Sequence, residues 1–74
     1  MNSFIIALEA KYKAEMAAAK ANIEVYLTNP TGIGEHPDLV EAIDTQVAIL
    51  AEAEDKLSIM RKYYGKNKAD KAVL

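Results

Sequence analysis

The chain has 74 residues, a formal net charge of −2 and no cysteine, so it forms one domain at most and holds neither a disulfide nor a thiolate metal site. A domain this small buries only about 60% of the surface of its unfolded chain, and such domains gain stability from disulfides, metals or partner chains. With a single histidine, no structural metal is expected, and a partner chain is the expected supplement. The sequence lacks both an apolar run long enough for a membrane span and the basic start of a signal peptide, which predicts a cytoplasmic protein.

The first predicted element is a helix over residues 3–28, a stretch without glycine or proline. Ser3 is the predicted N-cap, and Pro30 ends the helix because its ring disfavours helical geometry at the preceding residue. The apolar side chains follow an eleven-residue repeat, close to the period of a straight helix. The members of this stripe are Met1, Ile5, Leu8, Tyr12, Met16, Ala19, Ile23 and Leu27, with Tyr26 at its edge.

The opposite side of this helix is rich in alanine. Alanine has the highest helix propensity, which explains its use at solvent-exposed positions without any partner. A second, closely packed interface is the alternative, because small side chains let helix backbones approach. We favour the first explanation for the set Ala7, Ala10, Ala14, Ala17, Ala18 and Ala21, which is joined by Val25.

Residues 29–36 are the predicted connector. Gly32 and Gly34 supply the backbone freedom that a chain reversal needs. The next helix begins either with Pro37 as its first helical residue or with Asp38 as N-cap and Glu41 reaching back in a capping box. Every unusual residue of the connector then has a structural role.

The connector also contains groups that bind ligands in other proteins. Its Gly-Ile-Gly stretch resembles phosphate-binding loops, but no strand precedes it and acidic residues surround it. Glu35, His36 and Asp38 offer oxygen and nitrogen ligands to a metal, although neighbouring polar residues on a loop are more often solvated surface. We therefore predict no metal and no cofactor.

The second predicted helix spans residues 37–64. Apolar positions recur in alternating steps of four and three, the heptad pattern of a coiled coil; they are Leu39, Ile43, Gln46, Leu50, Ala53, Leu57, Met60 and Tyr64. Acidic residues at its start and Arg61 and Lys62 at its end oppose the helix dipole. Gly65 is predicted to end the helix in a left-handed conformation.

Two helices joined by a short connector predict an all-α, antiparallel helical hairpin over residues 1–65. The apolar side chains of the second helix cover nearly half of its circumference, more than one facing helix needs. We therefore predict a homodimer or higher oligomer, most simply a four-helix bundle. The predicted interface consists of Leu39, Ile43, Val47, Leu50, Leu57 and Met60.

Catalysis is not predicted. Glu52, Glu54 and Asp55 are clustered, but general acid–base chemistry needs a pocket that shifts the pKa of a carboxyl group. The one histidine has no evident serine or cysteine partner for nucleophilic catalysis. A solvated helix face explains the carboxylates, and no catalytic residue is assigned.

The last residues, 66–74, are predicted to be a flexible basic tail. Lysines beside Tyr63 and Tyr64 could bind phosphates and stack on bases, with Arg61, Lys62, Lys66 and Lys68 as the candidate contacts. All seven charged side chains of residues 32–55 are acidic, however, and oppose a polyanion. Chain ends are often poorly ordered, so a solubilising tail is the simpler interpretation.

Residues 8–62, which include "AAAKANIEVYLTNPTGIGEHPDLVEAID" and "AEAEDKL", resemble small uncharacterised proteins encoded by tailed phages of marine cyanobacteria. The resemblance implies a viral protein made in the host cytoplasm, and it brings no activity or site residues. The sequence thus predicts a protein–protein interaction module, such as a phage accessory, scaffold or host-modulating protein. The alternative is a small nucleic-acid-binding protein that uses the basic C-terminal segment.

Overall fold

The computed structural model describes residues 2–29 and 38–65, which form two helices, α1 (Ser3–Thr28) and α2 (Leu39–Tyr64). The Nδ2 of Asn22 donates to the Oε1 of Gln46 at 3.1 Å. Further from the connector, the Nζ of Lys56 lies 5.7 Å from the centre of the Tyr12 ring. Residue numbers therefore fall along one helix as they rise along the other, and the predicted all-α antiparallel hairpin is confirmed.

Several sequence predictions lie outside the described residues. They concern the connector glycines, the possible ligands Glu35 and His36, and the tail with Lys66 and Lys68. These remain predictions. The start of α2 at Pro37 was wrong, because the helix begins at Leu39 after Asp38.

The N-cap of α1 is Asn2, so the assignment to Ser3 was wrong. The Oδ1 of Asn2 accepts hydrogen bonds from the amides of Phe4 at 2.8 Å and Ile5 at 3.3 Å. Asn2 has the extended backbone that a capping residue needs, with φ −79° and ψ 154°, whereas Ser3 is already helical. The helix ends at Thr28, as predicted.

The start of α2 lacks the predicted capping box. The helix begins at Leu39, and the side chain of Asp38 forms no capping hydrogen bond. Asp38 has φ −98° and ψ 46°, outside the extended region from which a side chain reaches the free amides of the first turn. Its carbonyl still accepts the hydrogen bond from the amide of Ala42, at 3.0 Å. Glu41 lies in the first turn, where its charge favours the helix dipole.

Gly65 follows the last turn of α2, but not in the predicted left-handed conformation. Its φ of −72° and ψ of 152° are extended. Gly65 is buried, and a Cβ added to it would lie 2.6 Å from the carbonyl oxygen of Arg61. The chain therefore needs glycine here for close packing against the last turn and not for positive φ.

The side of α1 that packs against α2 repeats every seven residues. Ile5, Tyr12, Ala19 and Tyr26 are buried or half-buried at this spacing, while Leu27 is 66% exposed. The predicted stripe is therefore confirmed from Ile5 to Ile23, whose members are buried or half-buried, but its last member, Leu27, was wrong, and Tyr26 takes that place. A seven-residue repeat keeps the contact stripe of a helix facing its partner along the whole pair.

The heptad predicted for α2 is confirmed from Leu39 to Met60, and every member is half-buried or buried. Tyr64, the last predicted member, is 57% exposed. Among the described residues, three side chains are buried, those of Ala19, Ala53 and Leu57. The hairpin is thus centred on small side chains, with larger ones half-covered around them.

The alanine-rich side of α1 is exposed along its full length, together with Val25. It faces away from α2. The hairpin itself gives these alanines no second interface.

Candidate interaction surface

Each helix turns one stripe toward the other, which leaves two flanks of the hairpin beside the seam between the helices. The polar flank carries Lys11 and Glu15 of α1 with Glu52 and Lys56 of α2. The groove flank lies on the other side of the seam. It consists of Ile6, Lys13, Met16, Lys20, Ile23 and Leu27 of α1 with Val40, Ile43, Val47, Leu50, Glu54, Leu57 and Arg61 of α2.

Helix geometry and observed contacts both support this division. Lys56 reaches the ring of Tyr12, and the charge of Glu52 acts on Lys11, so these lysines border the same side of the seam. On α1, Lys13 and Lys20 lie more than a quarter turn around the helix from Lys11. On α2, Val47 and Glu54 lie more than a quarter turn from Lys56. Met16, Glu54 and Leu57 accordingly line one groove on the other side.

Charged and aromatic side chains are linked to one another on the polar flank. Lys11 forms an ion pair with Glu15, and Lys56 lies 3.8 Å from Glu52. The ammonium groups of Lys11 and Lys56 lie 6.0 and 5.7 Å from the centre of the Tyr12 ring. Exposed ion pairs contribute only about 0 to 1 kcal/mol each, and the same flank also exposes the apolar side chains of Phe4, Val25, Ile49 and Ile59.

The ion pair with Glu15 acts on the amino group of Lys11. Its pKa is raised, mainly by the hydrogen bond to Glu15 and then by the charge of that carboxylate. Lys11 is exposed, so the shift reflects a surface ion pair. It does not indicate an acid–base site.

The groove flank differs from the polar flank in having an open groove between the helices. An open groove of about 490 Å³ lies between the helices, lined by Met16, Glu54, Leu57, Ser58, Arg61 and Lys62. Toward the connector the same flank is apolar, and Leu27, Val40 and Val47 are 66%, 82% and 45% exposed. The half-buried Ile23, Ile43 and Leu50 lie beside them. An apolar surface of this kind, bordered by charged groups, is typical of a binding site for another protein.

Most of the predicted interface residues of α2 belong to the seam of the hairpin itself. Leu57 is buried, and Leu39, Ile43, Leu50 and Met60 are half-buried. Among the six predicted residues Val47 is the exposed one, at 45%. The seam thus uses much of the surface that the sequence assigned to a second chain.

Sequence reasoning missed three exposed members of the groove flank, Ile6, Leu27 and Val40. Leu27 was placed in the seam by the eleven-residue repeat. A seven-residue repeat places Ile5 and Tyr26 in the seam, so Ile6 and Leu27, the next residues, fall beside the seam. Recognising that repeat in the sequence would have identified both as members of this flank.

The candidate polyanion contacts lie at the far end of α2. Arg61 and Lys62 are exposed, and both line the groove. The Nζ of Lys62 lies 5.4 Å from the centre of the Tyr63 ring, and the rings of Tyr63 and Tyr64 lie 6.4 Å apart at an angle of 56°. Two cations and two exposed aromatic rings therefore meet at one end of the hairpin.

The described part of the chain assembles no group of three or more side chains able to hold a metal ion. The carboxylates of Glu52, Glu54 and Asp55 are all exposed, and Glu52 pairs with Lys56. Neither α1 nor α2 combines the length and the apolar composition that a membrane span requires.

No protein-family model, curated protein or solved structure matches the sequence.

Proposed function

We propose that this chain is a protein–protein interaction module that acts as a helical oligomer. The observation that carries the proposal is the apolar surface that the hairpin leaves exposed. Leu27, Val40 and Val47 on the groove flank are 66%, 82% and 45% exposed, and Phe4, Val25 and Ile59 on the other flank are 80%, 46% and 44% exposed. Covering these side chains removes apolar surface from water, which is the main favourable term in most protein association.

The small core of the hairpin supports the same proposal. Among the described residues, only the side chains of Ala19, Ala53 and Leu57 are buried. A domain this short gains little stability from its own core and is helped by burying apolar surface against a partner chain.

Self-association is tested by sedimentation equilibrium together with thermal unfolding at several protein concentrations. We expect at least twice the monomer mass of 8.1 kDa at micromolar concentration. The melting temperature should rise with concentration, because mass action favours the associated, folded state. A monomer with a constant melting temperature across a hundredfold range of concentration would contradict the proposal.

The resemblance to proteins of cyanobacterial tailed phages suggests that this module is made during phage infection. In that setting the chain is a phage accessory, scaffold or host-modulating protein made in the cytoplasm of the infected cell. The oligomer then presents the same surfaces in two or more copies, which strengthens binding to a repeated or symmetric target.

Nucleic-acid binding is the second candidate, favoured by the cations and tyrosines at the end of α2. Arg61 and Lys62 would bind phosphates, while Tyr63 and Tyr64 would stack on bases. The acidic residues of α2 oppose this function. We expect at most weak binding that disappears near physiological salt, since each neutralised phosphate releases counterions. Sub-micromolar binding at physiological salt, lost when residues 66–74 are deleted, would reverse the order of the two candidates.

A further inference from the structure

We infer that the groove flank binds the groove flank of a second copy of this chain, with α1 of each copy against α2 of the other. The two-fold axis then runs parallel to the helices, and both connectors lie at the same end of the four-helix assembly. The inference rests on the proposed self-association. It adds which surface is used and how the two copies are oriented.

Two lines of exposed residues define the outer edges of this flank. In α1 the line is Ile6, Lys13, Lys20 and Leu27, and in α2 it is Arg61, Glu54, Val47 and Val40. Each line advances by seven residues, so its members stay on one side of a helix that follows the observed heptad.

The contacts between the helices show which residue of the α1 line lies at the same height along the helix axes as each residue of the α2 line. Asn22 is level with Gln46, and Tyr12 is level with Lys56. By the same spacing, Leu27 is level with Val40 and Lys20 with Val47, and further from the connector Lys13 is level with Glu54. Each line is therefore apolar at its connector end, Lys13 lies opposite in charge to Glu54, and at the far end Ile6 is level with Arg61.

An axis parallel to the helices places three of the four levels against a suitable partner, while at the fourth Ile6 meets Arg61 of the second copy. Leu27 meets Val40 of the second copy, and Lys13 meets Glu54 of the second copy. Lys20 covers Val47 of the second copy with its aliphatic stem while its ammonium group reaches water. The symmetry forms each pair twice, so the assembly gains two apolar contacts and two ion pairs.

The other way to stack the same flanks is less favourable. An axis perpendicular to the helices places each helix on its own copy, with the connectors at opposite ends. Lys13 then meets Lys20 of the second copy, and Val47 meets Glu54 of the second copy. The same axis brings Ile6 to Leu27 and Val40 to Arg61, so it also forms two apolar contacts, but it replaces the two ion pairs by two contacts between like charges. Charge complementarity thus selects the parallel axis.

Charge reversal separates the two orientations. We expect Lys13→Glu and Glu54→Lys each to raise the dimer dissociation constant about tenfold or more, and the double variant to return it to within about threefold of the wild type. Asp55→Lys makes the same charge change on the side of α2 that faces away from the seam, and it should leave the dissociation constant within about threefold. Circular dichroism verifies that all four variants remain helical.

Spin labels give a readout that does not depend on the ion pairs. A label on Thr28→Cys, at the connector end of α1, should lie about 15 to 25 Å from its symmetry mate, the width of a four-helix assembly. With the connectors at opposite ends, the separation would approach the length of a 26-residue helix, about 39 Å.

A dimer with distant labels, or one strengthened by Lys13→Glu, would overturn the inferred orientation while self-association stands. Equal weakening by Asp55→Lys and Glu54→Lys would overturn the assignment of the surface. A wild-type chain that stays monomeric would remove both the inference and the proposed self-association.

Discussion

Truncation of Leu57 to alanine tests whether the described seam holds the hairpin together. Leu57 is the one large side chain among the three buried side chains of the described residues, at 7% exposure. Leu57→Ala removes three carbons, which at about 0.8 kcal/mol per buried methylene corresponds to roughly 2.4 kcal/mol of lost transfer free energy. In a single hairpin Leu57 also borders the open groove, so at a concentration where the chain is monomeric water can enter the vacated space and little is added by an empty cavity. We therefore expect a loss of about 2 to 3 kcal/mol, near the lower end for leucine truncations.

The assay is thermal or urea unfolding followed by circular dichroism. In a domain of this size, the expected loss lowers the melting temperature by roughly 10 to 20 °C. Wild type and variants must be compared at one protein concentration, because coupled association also moves the midpoint.

Ile59→Ala is the matched control. Ile59 lies on the same helix, is 44% exposed, and loses the same number of carbons. Because alanine is the better helix former, this variant should stay within about 1 kcal/mol of the wild type. If Leu57→Ala costs no more than Ile59→Ala, the described seam is not what stabilises the fold.

Two further predictions concern the helix ends. Gly65→Ala should lower the free energy of unfolding by about 1 kcal/mol and speed amide exchange in the last turn of α2, because its Cβ would lie 2.6 Å from the carbonyl oxygen of Arg61; unchanged exchange in that turn would contradict the close contact. Asn2→Ala should cost about 1 kcal/mol while Ser3→Ala stays within about 0.5 kcal/mol, as measured by urea unfolding, and the reverse order would mean that Ser3 caps α1 after all.

The sequence allowed the two helices to be predicted because strong local signals agree there. Residues 3–28 lack glycine and proline, and Pro30 follows closely, so α1 ends where it was predicted to end. In α2 the alternating steps of four and three leave one consistent stripe from Leu39 to Met60. Propensity, periodicity and chain breakers all point to the same hairpin.

Details that depend on contact between the helices could not be predicted in the same way. Tyr26 and Leu27 are adjacent and both apolar, so the composition of α1 permits either a straight stripe or a heptad. Packing against α2 selects the heptad. Asn2 and Ser3 are likewise both good capping residues, and local sequence does not choose between them. Asn2 is the N-cap because its backbone is extended while that of Ser3 is already helical.

The candidate surface was the hardest feature to predict, for a geometric reason. The periodicity of one helix shows which side is apolar, but not how far the helix is rotated about its axis relative to its partner. That rotation decides whether Val40 and Val47 lie in the seam or outside it. It also divides the charged residues between the two flanks.

The hydrogen bond between Asn22 and Gln46 bears on how the two helices align along their length. In a heptad pair, sliding one helix by seven residues preserves the general pattern of the stripe, so several alignments compete. After such a shift Asn22 would face Leu39 or Ala53 in place of Gln46, and both amides would lose their partner. The Asn22–Gln46 bond is exposed, so displaced amides would bond to water, and the pair favours the observed alignment by no more than the roughly 0.5 to 1.5 kcal/mol of an ordinary hydrogen bond. Because neither side chain is charged, salt screens this preference far less than it screens the ion pairs on the same flank.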